Sequence, residues 1–120
     1  MWDSYFGKRA KAVVYALKGA YLLVKTEPSI QVQSVIGLIM IGAGFHFELT
    51  TTEWMFQIFA IGLVLCAEGL NTAIEKMADF IHPNFHTKIG FIKDIAAGAV
   101  FFAAITAVII GCIIYIPKFT

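Results

Sequence analysis

Residues 54–81 read "WMFQIFAIGLVLCAEGLNTAIEKMADFI": no charge from Trp54 to Ala67, then Glu68, Glu75 and Asp79 in what still reads as one helix. At 1.5 Å per residue, about 20 residues cross a hydrocarbon core of roughly 30 Å, so the stretch is long enough to span a bilayer. At about 100° per residue, Glu68, Asn71, Thr72, Glu75 and Asp79 fall within an arc of roughly 60–80° and form one polar stripe. Ionisable groups at such depth are costly unless paired, hydrated or bound to a cation, which makes them functional candidates by default. Glu68 is the deepest and the hardest to explain as decoration. Asp79 reads equally well as the solvated end of the stripe.

Outside this stretch the chain has the same apolar character. Of its 120 residues, 59% are hydrophobic and only 14% charged, and the mean hydropathy is +0.80. A water-soluble domain this small could not hide so much apolar surface, because small domains keep a large share of their surface exposed. A bilayer can. Two further segments are long and uncharged, Ser29–Phe47 and Ile95–Ile116. Lipid cannot satisfy backbone polar groups, so every span should be helical. Pro28 stands where the first span would start, and Pro117 is expected to stop the third. The expected fold is all-α and membrane-integral, a single domain over 1–120 with spans at 29–47, 54–81 and 95–116.

A different helix precedes the spans, over about residues 5–25. Lys11, Lys18 and Lys25 recur every seven residues, and Val13, Val14, Leu17, Tyr21 and Val24 occupy another face. A basic helix with one apolar side lies in the membrane interface rather than crossing it; anchoring alone would account for it. No cleavable signal peptide is expected, since the first apolar stretch, Ala12–Leu17, is cut short by Lys18. Cys66 and Cys112 lie in apolar runs and read as small apolar residues.

The N-terminal segment carries Lys8, Arg9, Lys11, Lys18 and Lys25, and the second connection with its approach carries Lys76, Lys88 and Lys93. The first connection, "ELTTTE", has no cation at all. The positive-inside rule then puts the N-terminus in the cytosol and the C-terminus outside, with Lys118 the one opposing charge. Glu27, Lys93 and Asp94 fall at the cytosolic ends of their spans and join Glu68, Asn71 and Glu75 on one membrane face. Carboxylates clustered with a lysine suit a Mg²⁺–nucleotide site, because magnesium takes one or two carboxylates plus phosphate oxygens and lysine offers a point charge. The outer halves of the spans read as almost wholly apolar.

Other chemistries fit less well. Neither G-x-x-x-x-G-K-[ST] nor G-x-G-x-x-G occurs, which excludes a P-loop or Rossmann turn. No Glu-x-x-His pairs suit a di-iron bundle. Pro83 separates His82 from His86 and breaks the helical face that would pair them, and His46 belongs to the opposite face, so zinc is not expected. The net charge of +1 and the absence of a basic run with interleaved aromatics argue against nucleic acid. Ala99, Ala103, Ala107 and Gly111 form a small-residue ridge, suited to close helix packing within the chain or between chains.

The stretch "AEGLNTAIEKMADFIHPNFHTKIGFIKDIAAGAV" resembles the signature region of the prokaryotic diacylglycerol kinase family, which includes undecaprenol kinases. The likeness runs from "KAVVYALKGA" to the end of the chain. It implies an interfacial helix plus three transmembrane helices, assembled as a homotrimer with shared active sites in the bacterial cytoplasmic (inner) membrane. It also implies Mg²⁺-dependent transfer of the ATP γ-phosphate to the hydroxyl of a membrane lipid. On that resemblance Glu68 is the general base, Glu27 and Glu75 hold the metal, and Asn71 is an active-site polar residue. Lys8, Tyr15, His86, Lys93 and Asp94, with Glu27 and Glu75, contact the nucleotide. Lys8 stands where some relatives have Arg, and Gln31, Gln33 and Asn84 depart from the family pattern while leaving the base and metal positions intact. The rival readings are an oligomeric ion or proton pathway, which needs polar residues through the whole bilayer, and a structural trimer, which leaves Glu68 unexplained.

Overall fold

The computed structural model describes residues 4–120, and these form the helices α1 (Tyr5–Thr26), α2 (Pro28–His46), α3 (Thr51–Ile81) and α4 (Thr87–Phe119). The all-helical expectation holds, and α2, α3 and α4 are each long and apolar enough to cross a membrane.

Each boundary has a local cause. Ser4 caps α1, its hydroxyl accepting from Gly7 N at 3.0 Å. Glu27 is extended (φ −105°, ψ 113°) because the ring of Pro28 disfavours a helical residue before it, and Pro28 then opens α2 at the position where its missing N–H costs nothing. Gln31 Nε2 donates back to the carbonyls of Val24 and Lys25 at 3.0 and 3.1 Å, so a residue that departs from the family pattern ties the end of α1 to the start of α2. Between α2 and α3, Glu48 takes a left-handed conformation (φ 54°). A capping box then starts α3: Glu53 N donates to Thr50 Oγ1 at 3.2 Å and Thr50 N to Glu53 Oε1 at 2.9 Å.

α3 starts three residues ahead of the expected span, and both ends of the last helix differ from the sequence reading. The last helix begins at Thr87, capped by His86, whose Nδ1 accepts from Lys88 N at 3.0 Å. Lys93 and Asp94 therefore lie inside α4 rather than ahead of it: hydropathy marks the part that meets lipid, whereas the helix extends as far as its caps allow. Pro117 does not stop α4, which continues to Phe119. In the final turn a proline removes only one bond, at a helix end where carbonyls already lack intrahelical donors.

α3 packs most extensively on α4 and less on α2, while α1 rests chiefly on α2. Buried apolar residues are mostly small, among them Ala60, Val64 and Ala78 on α3 and Ala96 and Ala103 on α4. Of the small-residue ridge, Ala103 is buried and Ala107 and Gly111 half-buried, so part of it serves packing within the chain. Large apolar side chains instead cover the outside: Phe59, Phe101, Phe102, Val108 and Ile113 are each at least 60% exposed. A water-soluble monomer does not present such a surface. Across its longest dimensions the chain measures 51 × 47 × 22 Å. Three helices packed side by side at about 8–10 Å spacing fill only roughly 30 Å of width, so α1 must reach out from the layer.

The end of the bundle bearing Trp54 is less apolar than the sequence suggests. Gln57 is only 4% exposed and Tyr115 9%. The Tyr115 hydroxyl donates to Gln57 Oε1, and Gln57 Nε2 donates to the Met40 carbonyl at 3.0 Å, joining α2, α3 and α4. Nearby, Lys118 pairs with Glu53 at 3.2 Å. The few polar groups in these outer halves, expected to be almost wholly apolar, each have a partner that neighbours in sequence do not reveal. The same contact neutralises the one lysine that opposed the charge rule.

Candidate active site

The site lies at the other end, where α1 meets α2 and α3 approaches its C-terminus. Counting about 20 residues of hydrocarbon from Trp54 puts the core boundary near Ala73. Glu68 then lies about five residues, or roughly 8 Å, inside it, and Glu75 just beyond. Asn71 and Glu75 are one turn apart on α3, and Asn71 Nδ2 donates to Glu75 Oε1 at 3.2 Å. Because a carboxylate only accepts, this fixes the amide orientation and turns Asn71 Oδ1 away, where it is buried without a hydrogen-bond partner. A buried orphan acceptor is costly and needs an occupant.

Glu27 comes from the elbow between α1 and α2. Its side chain makes no capping hydrogen bond at the start of α2. Instead the carboxylate, 19% exposed, meets Lys76 Nζ at 3.2 Å. Since Lys76 follows Glu75 directly, this contact brings the elbow to the side of α3 that carries the acids. The last turns of α1 also lie close: a Cβ on Gly69 would meet Leu23 Cδ1 at 3.1 Å, so α1 lies against α3 one residue from Glu68. Glu68 itself is half-buried and has no hydrogen bond or ion pair among the described residues. Its carboxylate is uncommitted.

A neighbouring pocket of about 280 Å³ is formed by the α3–α4 connection and includes Asp79, His82, Phe85, Lys93 and Asp94 in its lining. Lys93 Nζ pairs with Asp79 at 2.6 Å, so Asp79 is more than a solvated terminus. His82 and His86 stack edge-to-face at 5.3 Å despite Pro83, because the chain turns back on itself with His82 Nδ1 donating to the Asn84 carbonyl at 2.7 Å. Both lie off the helices, His82 after α3 and His86 as the cap of α4, so a turn and not a helical face makes the contact.

Glu27, Asn71 and Glu75 are thus brought to one end of the bundle, with Glu68 deeper on α3 and Lys93 and Asp94 on α4 beside Asp79 in the neighbouring pocket. Lys8 and Tyr15 are not drawn in: both are exposed on α1, with no side-chain contact to the acids among the described residues. Lys76 was missed as a site residue because a lysine at a membrane boundary reads only as an orientation signal. Among the described residues no three His, Cys, Asp or Glu side chains converge closely enough to hold a metal by themselves. Magnesium needs fewer protein ligands when phosphates supply the rest. Two carboxylates and the orphaned Asn71 Oδ1 are hard oxygen donors that fit it.

These features define a small helical membrane protein with an acidic site at one end of its spans. The family described as prokaryotic diacylglycerol kinase matches residues 14–115, and the chain belongs to it. Undecaprenol kinase of Bacillus subtilis (strain 168) is 37% identical over 90% of this chain and 88% of its own length. Diacylglycerol kinase of Escherichia coli (strain K12) is 30% identical over 91% of this chain and 89% of its own. Diacylglycerol kinase of Synechocystis is 32% identical over 86% of this chain and 59% of its own.

Proposed function

We propose that the protein is a membrane lipid kinase that transfers the ATP γ-phosphate to the hydroxyl of a lipid acceptor at the cytosolic face of the bacterial inner membrane. Family membership supports the class, and the observation that carries the site is the Lys76–Glu27 contact, which joins the elbow carboxylate to α3 beside Glu75. Undecaprenol is the first acceptor to test, because the relative that shares 37% identity bears that name. Diacylglycerol is the second.

Phosphoryl transfer asks little covalent chemistry of a protein and depends on positioning and charge stabilisation. Mg²⁺, when bound, would neutralise the phosphate oxygens. Glu27 and Glu75 would hold it, and Asn71 keeps the Glu75 carboxylate in one orientation. Glu68, roughly two turns deeper and free of partners, accepts the proton of the lipid hydroxyl. Lys93 leaves Asp79 to offset charge on the transferring group, while Asp94 and His86 border the nucleotide. α1 lies in the interface, bringing Lys8 and Tyr15 to the nucleotide in an assembled homotrimer.

On α3 the residues from Ile58 to Ala67 are all apolar and separate Gln57 from Glu68 by about 16 Å. The cavity of about 360 Å³ beside them has Gln33, Gln57 and Tyr115 in its lining, but between Ile58 and Ala67 α3 gives it only apolar groups such as Ala60 and Val64. An ion pathway would need polar groups there.

Radiolabelled ATP with purified protein, offered undecaprenol and diacylglycerol side by side, tests the function. Label should enter one lipid in wild type and neither in Glu68→Gln, which should still bind nucleotide. Lipid labelling at a near-normal rate by that variant refutes the base assignment, and no labelling by wild type refutes the function.

A further inference from the structure

Lys76 is the cation nearest to the carboxylates proposed to hold the metal. Its ammonium sits 3.2 Å from Glu27 Oε1, and its side chain is 69% exposed where that of Glu27 is 19% exposed. Glu27 has no capping bond to give up, so Lys76 alone balances it among the described residues. Lys93, the lysine that the sequence favours for phosphate, starts from Asp79 at 2.6 Å, toward the α3–α4 connection, and so serves the side of the site away from the elbow.

The charge balance makes this arrangement informative. Glu27, Glu68 and Glu75 put three carboxylates where a polyphosphate has to approach, and a single divalent ion cannot offset both sets of charges. Lys93 adds a cation from the α4 side, and on the elbow side Lys76 is already there. Its contact with Glu27 is also readily exchanged: the lysine side of the pair is largely open to solvent, and its stem is long and flexible.

We infer that Lys76 is an exchangeable cation, holding Glu27 while the site lacks nucleotide and moving onto a phosphate oxygen of the nucleotide when it binds. Glu27 is released to the metal by the same movement. The assignment rests on the kinase reading and adds to it a phosphate-positioning residue from the elbow side of α3.

The test measures equilibrium binding of a non-hydrolysable Mg²⁺–ATP analogue to detergent-solubilised wild type, Lys76→Gln and Lys76→Arg, with adenosine as competitor in a second arm. Lys76→Gln should weaken analogue binding about tenfold and leave adenosine competition unchanged. Lys76→Arg, which keeps the charge, should stay within about threefold of wild type. In the lipid assay the loss in Lys76→Gln should appear in KM for ATP, with kcat and KM for lipid little altered. Equal or tighter analogue binding by Lys76→Gln overturns the inference, because a lysine that only balanced Glu27 would compete with the metal and its loss would help binding. Parallel losses for analogue and adenosine overturn it as well. Wild type that binds the analogue and phosphorylates no lipid refutes the acceptor while leaving this inference to the binding data; wild type that binds no nucleotide overturns both.

Discussion

Asn71 illustrates how one side chain serves two neighbours. Its amide hydrogen holds Glu75 and its oxygen is left buried without a donor. Asn71→Ala should therefore release Glu75 into several rotamers and remove an oxygen donor together. The expected result is a kcat/KM for ATP reduced about ten- to hundredfold, as for a lost second partner of a metal ligand, with a higher Mg²⁺ concentration at half-maximal rate. Lipid-kinase assays across a magnesium series measure both. Glu48 is the opposite case, a residue in a conformation that its side chain disfavours (φ 54°). Glu48→Gly should stabilise the protein by about 1 kcal/mol, seen as a higher Tm in detergent, because glycine adopts this region without a Cβ clash. Neither effect could be read from the sequence. "ELTTTE" suggests a turn without saying which residue goes left-handed, and a stripe on a helical wheel does not say which of its members bond one another.

Between elements, the joint at the Trp54 end is built from close approaches. A Cβ on Gly44 would fall 2.6 Å from Trp54 Cη2, so Gly44→Ala must displace the indole ring. The expected cost is about 1–3 kcal/mol, measured by thermal unfolding in micelles, with little change in KM for ATP because the site is at the other end. Tyr115→Phe should cost about 1 kcal/mol by leaving Gln57 Oε1 without its donor, and adding Gln57→Leu should recover much of that loss, a non-additivity that a double-mutant cycle detects. The helices themselves were legible, since uncharged runs of membrane length admit little else, and α3 ends at Ile81 as expected. The partnership of Gln57 with Tyr115 was not, because the two lie 58 positions apart. The same limit applied at the acidic end. There Glu27, Glu75 and Lys93 stood out as charges at span boundaries, while the partners they take, Lys76, Asn71 and Asp79, depend on how α3 is rotated.

For the whole chain, an apolar exterior and a polar end make orientation the first question. In a variant without Cys66 and Cys112, a cysteine at Thr120 should react with a membrane-impermeant thiol reagent added outside intact spheroplasts. One at Ser4 should react only after permeabilisation. The reverse pattern would place the acidic site away from cytosolic ATP. The small interior follows from the same arithmetic that marked the chain as membranous: with most large side chains turned outward, stability falls to close packing of alanines and glycines and to a few internal hydrogen bonds.

The bend at Glu27 has a mechanical side. α1 is an arm whose pivot is the residue that carries the carboxylate, since Pro28 fixes the break and Gln31 bridges it. Lys8 lies nineteen positions along that arm, about 28 Å away at the helical rise. A tilt of about 10° would carry Lys8 through roughly 5 Å and leave the pivot almost still. On the proposed interfacial placement of α1, the arm would follow an undulating bilayer surface while the Glu27 carboxylate keeps its station, as a gangway rides the tide from a fixed hinge.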